Sequence, residues 1–207
     1  SFLKTNKCMI TPKTVTVLGA SGTMGTNVSG IFASFGDAKV YMISRDIEKS
    51  KKAAVKACKS VRADSIAKNL IPADYSMLGK CVSESDIVFE STAENLDVKL
   101  DVSKQVAEFL KPNTIACTGS SGLSITTLAE CFPEKLRTNY FGIHFFNPPY
   151  NMTLCEVTPT KYTAKALFEE TKQYLKNTLF RTVVEVKDSP AFLANRIGFQ
   201  FINEAFQ

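Results

Sequence analysis

Apolar and polar positions alternate along this chain between two rhythms, short β-branched runs and longer stretches with a helical period. Thr14-Val-Thr-Val-Leu18 reads as a buried strand that passes straight into the glycine-rich segment Gly19-Ala-Ser-Gly22-Thr-Met-Gly25, followed by a helix to about Phe35. Lys39-Val-Tyr-Met-Ile43 predicts a second strand. Ile47 to about Arg62 predicts a helix, with Ile47, Ala54, Cys58 and Val61 on one face and Lys49, Lys52, Lys56 and Lys59 on the other. Asp86 to Glu90 and Thr114 to Cys117 read as buried strands. Between them, Leu96 to Leu110 reads as a helix with Val102, Val106, Phe109 and Leu110 on one side. The runs Tyr140–Ile143 and Met152–Cys155 flank a turn rich in proline and asparagine, Asn147-Pro148-Pro149-Tyr150-Asn151. Thr163 to Asn177 looks helical and Thr182 to Val186 looks like a last strand. Ser189-Pro190 then pairs a capping serine with a first-turn proline and opens a predicted helix to Gln207. Such alternation argues for an α/β fold, a Rossmann-like, doubly wound and mostly parallel sheet with ligands at the carboxyl ends of the strands.

A strand feeding a glycine-rich turn and then a helix suits a dinucleotide. Glycines let the backbone approach a pyrophosphate, and the helix N-terminus offers unpaired N–H groups. Gly19, Ser21, Gly22, Thr23, Met24 and Gly25 are the candidate cradle, spaced Gly-x-x-Gly-x-x-Gly, one residue longer than the usual Gly-x-Gly-x-x-Gly. The second strand ends at Ser44-Arg45-Asp46, where an acid normally reads the adenosine ribose. Ser44 with Arg45 leans toward NADP, whereas Asp46 leaves NAD open and is read foremost as the N-cap of the next helix. The lysine row after it reads as a solvated face, with the phosphates of coenzyme A as the alternative partner.

His144 is the only histidine in the chain. A histidine that exchanges a proton with substrate needs one ring nitrogen free and the other held by an acceptor, and Glu156, across the proline turn, is the candidate. Other predicted strand ends carry polar groups as well: Glu94-Asn95, Thr118-Gly-Ser120-Ser121-Gly122, and Asn147 beside His144.

On these residues the chain, from about Thr14 to Gln207, resembles the N-terminal part of an L-3-hydroxyacyl-coenzyme A dehydrogenase. The resemblance is carried by Glu94-Asn-Leu-Asp-Val-Lys99, by Ser120-Ser121 ahead of Leu123-Ser-Ile-Thr126, by His144-Phe-Phe-Asn-Pro with Leu154-Cys-Glu156-Val, and by Asn195 in Ala194-Asn-Arg-Ile. It implies that His144 is the general base toward a 3-hydroxyl and that Glu156 orients its ring. Ser120, or Ser121 if Gly122 shifts the alignment, would bond the reacting oxygen, and Asn195 would bind near the substrate carbonyl. Glu94, Lys99, Ser120 and Asn147 would surround the nicotinamide and its ribose. NAD is the family's cofactor. Residues 1–188 would form the nucleotide-binding domain, and 189–207 the start of a helical substrate and dimerisation domain, so the chain reads as a fragment or processed product whose full form is a homodimer. Ser44 replaces the family's ribose-binding acid, and the Arg62–Asp86 segment, which in the family helps to hold coenzyme A, is shorter here. Two alternatives stay open, the same chemistry on a free hydroxy or sugar acid and a non-catalytic NADP-sensing module.

Composition narrows the classes further. The 207 residues, 44% of them apolar, suffice for one large core. No run of about 18 apolar residues suggests a membrane span, and Ser1-Phe-Leu-Lys lacks a signal-peptide pattern. Six cysteines without Cys-x-x-Cys spacing read as free thiols of an intracellular, reducing compartment, cytoplasm or organelle matrix, and not as a metal site. A net charge of +5 spread along the chain favours anionic ligands without arguing for nucleic acid.

Overall fold

A computed structural model describes residues 10–206, so Cys8, the Ser1-Phe-Leu-Lys segment and Gln207 lie outside the described residues. The strands are β1 (Thr14–Leu18), β2 (Lys39–Ser44), β3 (Leu70–Asp74), β4 (Ile87–Glu90), β5 (Ile115–Thr118), β6 (Tyr140–Phe145), β7 (Leu154–Thr158) and β8 (Thr182–Glu185). The helices are α1 (Thr23–Ser34), α2 (Ile47–Val61), α3 (Leu78–Glu84), α4 (Leu96–Ala107), α5 (Ile125–Ala129), α6 (Glu134–Arg137), α7 (Lys165–Asn177) and α8 (Ala194–Ala205).

The strands form one sheet in the order β3-β2-β1-β4-β5-β6-β7-β8. Every neighbouring pair is parallel except β6 with β7. Alternation along each strand sends side chains to two cores. Val15 and Val17 of β1, with Val40 and Met42 of β2, pack beneath α1, α2 and α7. Leu18, Tyr41 and Ile43 pack on the other side against α3, α4 and α5. From β1 the chain builds outward first through β2 and β3 and then, on the other side, through β4 and β5. The crevice at that reversal, between the carboxyl ends of β1 and β4, is where a doubly wound sheet receives its ligand.

Helix faces follow the predicted periods with small shifts. The buried stripe of α2 is Ala53, Ala57, Cys58 and Val61, and its lysines are exposed. Asp46 caps α2, its carboxylate accepting from the backbone of Glu48 and Lys49. Val102 and Val106 of α4 are buried, whereas Phe109 lies beyond the helix end and is 41% exposed.

Two expectations need correction. The segment between Arg62 and Asp86 carries an unforeseen edge strand, β3, paired with β2, before the short helix α3. The last helix begins at Ala194 instead of directly after Pro190. Ala191 and Phe192 adopt left-handed backbone, φ 59° and 50°, inside a turn closed by Phe192 N–H donating to Ser189 O at 2.9 Å. Such a conformation is costly for Phe192, and here its side chain is 2% exposed within the α3–α5 core. No helix among the described residues is long and apolar enough to cross a membrane. The described cysteines, Cys58, Cys81, Cys117, Cys131 and Cys155, are free thiols.

Candidate active site

The crevice is a cleft of about 850 Å³ that runs from Ser44 and Arg45 at the end of β2, past the glycine loop, to Glu94 and Ser121. Gly19 bends the chain with φ +73°, and a Cβ there would lie 2.3 Å from Ser91 O. The first glycine therefore lets the β1 loop lie against the β4 loop. A Cβ on Gly25 would lie 2.4 Å from Gly19 O, so this glycine lets α1 approach the strand end. Gly19, Ser21, Gly22, Thr23 and Met24 line the cleft, and Gly25 is buried behind them. The α1 N-terminus has no side-chain cap and no acid in its first turn, which leaves N–H groups and a positive dipole end for an anion.

On the opposite wall a buried ionic cluster shapes the loops. Lys99, 1% exposed, donates to both oxygens of Glu90 at 3.0 and 2.9 Å. Glu90 also accepts from the Thr118 hydroxyl at 2.6 Å and from the Thr92 hydroxyl at 2.6 Å. Lys99 stands 3.6 Å from Glu94, whose other oxygen accepts from Ser120 Oγ at 2.6 Å, Ser121 N–H at 2.8 Å and Gly122 N–H at 3.0 Å. Partial burial pushes the Glu94 carboxyl up, but the Ser120 hydroxyl, the Lys99 charge and the two backbone donors outweigh it and hold it below the ordinary glutamate range.

At the far end, β6 and β7 pair antiparallel with His144 directly opposite Glu156. His144 Nδ1 lies 3.0 Å from Glu156 Oε2, and Nε2 lies 3.1 Å from Ser121 Oγ. An N–H on Nδ1 donated to the carboxylate leaves the Nε2 lone pair toward Ser121 and the cleft. Glu156 Oε1 accepts from the N–H groups of Leu193 at 3.2 Å and Ala194 at 2.7 Å, and so caps α8. Asn195, in the first turn of that helix, donates to Ser121 O at 3.1 Å. The rings of Phe146 and Phe192 lie 4.5 and 6.0 Å from the imidazole and cover it.

The structure thus brings His144, Glu156, Ser121, Asn195 and Glu94 together. For the other predicted residues it fixes particular partners. Ser121, not Ser120, faces the imidazole, because Ser120 is 1% exposed and turned onto Glu94. Lys99 lies beneath the cleft wall, neutralising Glu90, instead of in the cleft. Asn147 is exposed, and its side-chain oxygen accepts from Asn27 at 3.3 Å. The sequence shows Thr118 as a polar strand end but gives Glu90 no role. The available signal for Glu90 is an acid closing an apolar strand just ahead of the helix that carries Lys99.

Residues 14–189 match the sequence model of the family described as "3-hydroxyacyl-CoA dehydrogenase, NAD binding domain". The human mitochondrial hydroxyacyl-coenzyme A dehydrogenase is 31% identical over 209 residues, covering 94% of this chain and 65% of that protein. A 3-hydroxybutyryl-CoA dehydrogenase of Clostridioides difficile is 31% identical over 200 residues, covering 89% of this chain and 68% of its own length. The crystal structure of 3-hydroxybutyryl-CoA dehydrogenase from Escherichia coli superimposes with a TM-score of 0.85 at 27% identity, over 95% of this chain and 42% of that one. The chain spans about two thirds of the length of the first two relatives.

Proposed function

The chain belongs to the 3-hydroxyacyl-CoA dehydrogenase family, and from that premise we propose that it interconverts a 3-hydroxyacyl-CoA and a 3-oxoacyl-CoA with a nicotinamide cofactor in the β1–β4 cleft. The observation that carries this reading is the Ser121–His144–Glu156 chain at the end of the cleft. A bound nicotinamide dinucleotide supplies the acceptor or donor of hydride. The uncapped α1 N-terminus and the Gly19–Gly25 loop suit its pyrophosphate, and the cleft reaches from there to Ser121.

His144 Nε2 takes the proton of the 3-hydroxyl in the oxidative direction and returns it to the carbonyl oxygen in the reductive one. Glu156 holds the ring in the tautomer that keeps Nε2 basic and stabilises the imidazolium once the proton arrives. Ser121 Oγ, 3.1 Å from Nε2, is the hydroxyl placed to bond the reacting oxygen as charge develops there. Asn195 is positioned through Ser121 O to bind near the substrate carbonyl. Ser120, Glu94 and the Glu90–Lys99 pair fix the loop that carries Ser121.

Residues 189–206 open a helical substrate and dimerisation unit in this reading. α8 has no buried residue, and its Ile197, Phe199 and Phe201 are 57–75% exposed, an apolar surface suited to further helices. Free thiols favour a reducing compartment. A second reading, the same chemistry on a free hydroxy acid, draws support from the compact Arg62–Asp86 segment, where α3 is the one α-helix, beside two short 3-10 turns and β3. Comparing turnover of a short 3-oxoacyl-CoA with that of the corresponding free 3-oxo acid tests this. Reduction of the thioester alone supports the acyl-CoA reading, and reduction of the free acid alone replaces it with the second.

A further inference from the structure

The β2 end of the cleft holds a polar side chain that no part of the proposed chemistry uses. Ser44 is 1% exposed and lines the cleft, and among the described residues its Oγ has no hydrogen-bond partner. A buried hydroxyl without a partner is costly, so a ligand atom that accepts from it gains what the protein leaves unmet. Arg45 follows, exposed and lining the same cleft. Among the described residues that line the cleft, only Arg45 and Glu94 are charged, and Glu94 belongs to the β4 side.

A site that reads the two ribose hydroxyls of an unphosphorylated dinucleotide needs a carboxylate here, free to accept from both. Two carboxylates are close in the chain or in register, but neither lines the cleft, and one oxygen of each is engaged by its own turn. Asp46 Oδ1 accepts from Glu48 N–H at 2.8 Å and Lys49 N–H at 3.4 Å as the α2 cap. Asp74, in register with Ser44 on β3, accepts from Ser76 N–H at 3.0 Å and its hydroxyl at 2.6 Å. What this end offers a ligand is a hydroxyl and a guanidinium, two donors and no acceptor carboxylate. Those groups match a phosphate monoester, for which the planar guanidinium is the preferred partner.

Resting on the dinucleotide reading above, we propose that Ser44 and Arg45 form a site for the 2′-phosphate of NADP, so that this chain prefers NADP over NAD. Fluorescence titration of the whole chain with NADPH and with NADH tests it, together with competition by adenosine 2′,5′-bisphosphate against ADP. NADPH is expected to bind about tenfold or more tightly than NADH, the scale of one charge-assisted hydrogen bond, and the bisphosphate to displace it better than ADP does. Arg45→Ala is expected to collapse the NADPH-to-NADH ratio toward one. Arg45 is exposed, and circular dichroism checks that the variant folds. Competition on the unaltered chain tests the site without any variant. NADH binding as tightly as NADPH, or a preference that survives Arg45→Ala, overturns the phosphate site and leaves the dehydrogenase reading standing. Binding of neither nucleotide overturns both.

Discussion

Glu156 accepts the backbone N–H of Ala194 at 2.7 Å through Oε1, the oxygen that His144 leaves free. One carboxylate therefore fixes both the imidazole tautomer and the first turn of α8, which brings Asn195 to Ser121. Glu156→Gln keeps the shape, but its amide has one acceptor oxygen for two sets of donors. Catalytic turnover is expected to fall by about 10²–10⁴, the range of general acid–base contributions, while cofactor affinity stays within a few-fold. Steady-state kinetics beside a cofactor titration check this, and a turnover loss under threefold would contradict it.

Lys99 neutralises Glu90 inside the protein, with the two side chains 1% and 6% exposed. Lys99→Met strands a buried carboxylate and is expected to destabilise the fold by about 3–5 kcal/mol in chemical denaturation. Adding Glu90→Gln to the same chain should recover part of that loss. A single variant as stable as the parent would show that the pair is not coupled.

The Ser120–Gly122 loop is expected to respond to acid. Glu94 titrates below its ordinary value of 4.5, because its hydrogen bonds and the Lys99 charge outweigh the effect of burial. A carboxyl with a depressed folded-state pKa contributes stability above its unfolded pKa, and that contribution is lost as pH falls through the folded value. The amides of Ser121 and Gly122 should stay protected from hydrogen exchange at neutral pH and lose protection only below the ordinary glutamate range. Glu94→Gln should remove that acid dependence, and unchanged protection in acid would rule the mechanism out.

Gly19 combines φ +73° with a would-be Cβ only 2.3 Å from Ser91 O. Gly19→Ala is expected to cost about 1–3 kcal/mol of strain and to push the β1 and β4 loops apart. Thermal melting should drop and nucleotide affinity should fall by about tenfold, the affinity equivalent of 1.4 kcal/mol. Affinity and melting equal to the parent's would show that the loop tolerates the side chain.

The central strands were legible because a buried parallel strand reads as a short run of apolar and β-branched residues, and β1 runs from Thr14 to Leu18 as expected. β3 was not. Leu70-Ile-Pro-Ala-Asp74 is interrupted by Pro72, which an edge strand tolerates and a central one does not, and its place depends on pairing with β2. The proline turn between two apolar runs did foretell that Glu156 would meet His144, since antiparallel pairing sets them opposite. Which of two adjacent serines faces the ring was beyond the sequence, because Glu94 decides it by binding Ser120 Oγ and the Ser121 backbone together. Ser189-Pro190 is a sound helix-start signal, but burial of Phe192 and the Glu156 cap move the start to Ala194. Lys99 showed its spacing from Glu94 but not its burial against Glu90, which only the packed strand end reveals.

The central claim is that His144 moves the substrate proton at the end of a nicotinamide cleft. Single-turnover reduction of acetoacetyl-CoA by the bound reduced cofactor, compared between the unaltered chain and His144→Ala, tests it most directly. The account predicts conversion by the unaltered chain and a rate lower by about 10²–10⁴ for the variant, with cofactor affinity retained. Equal rates in the two proteins, or cofactor bound without any conversion by the unaltered chain, would contradict it.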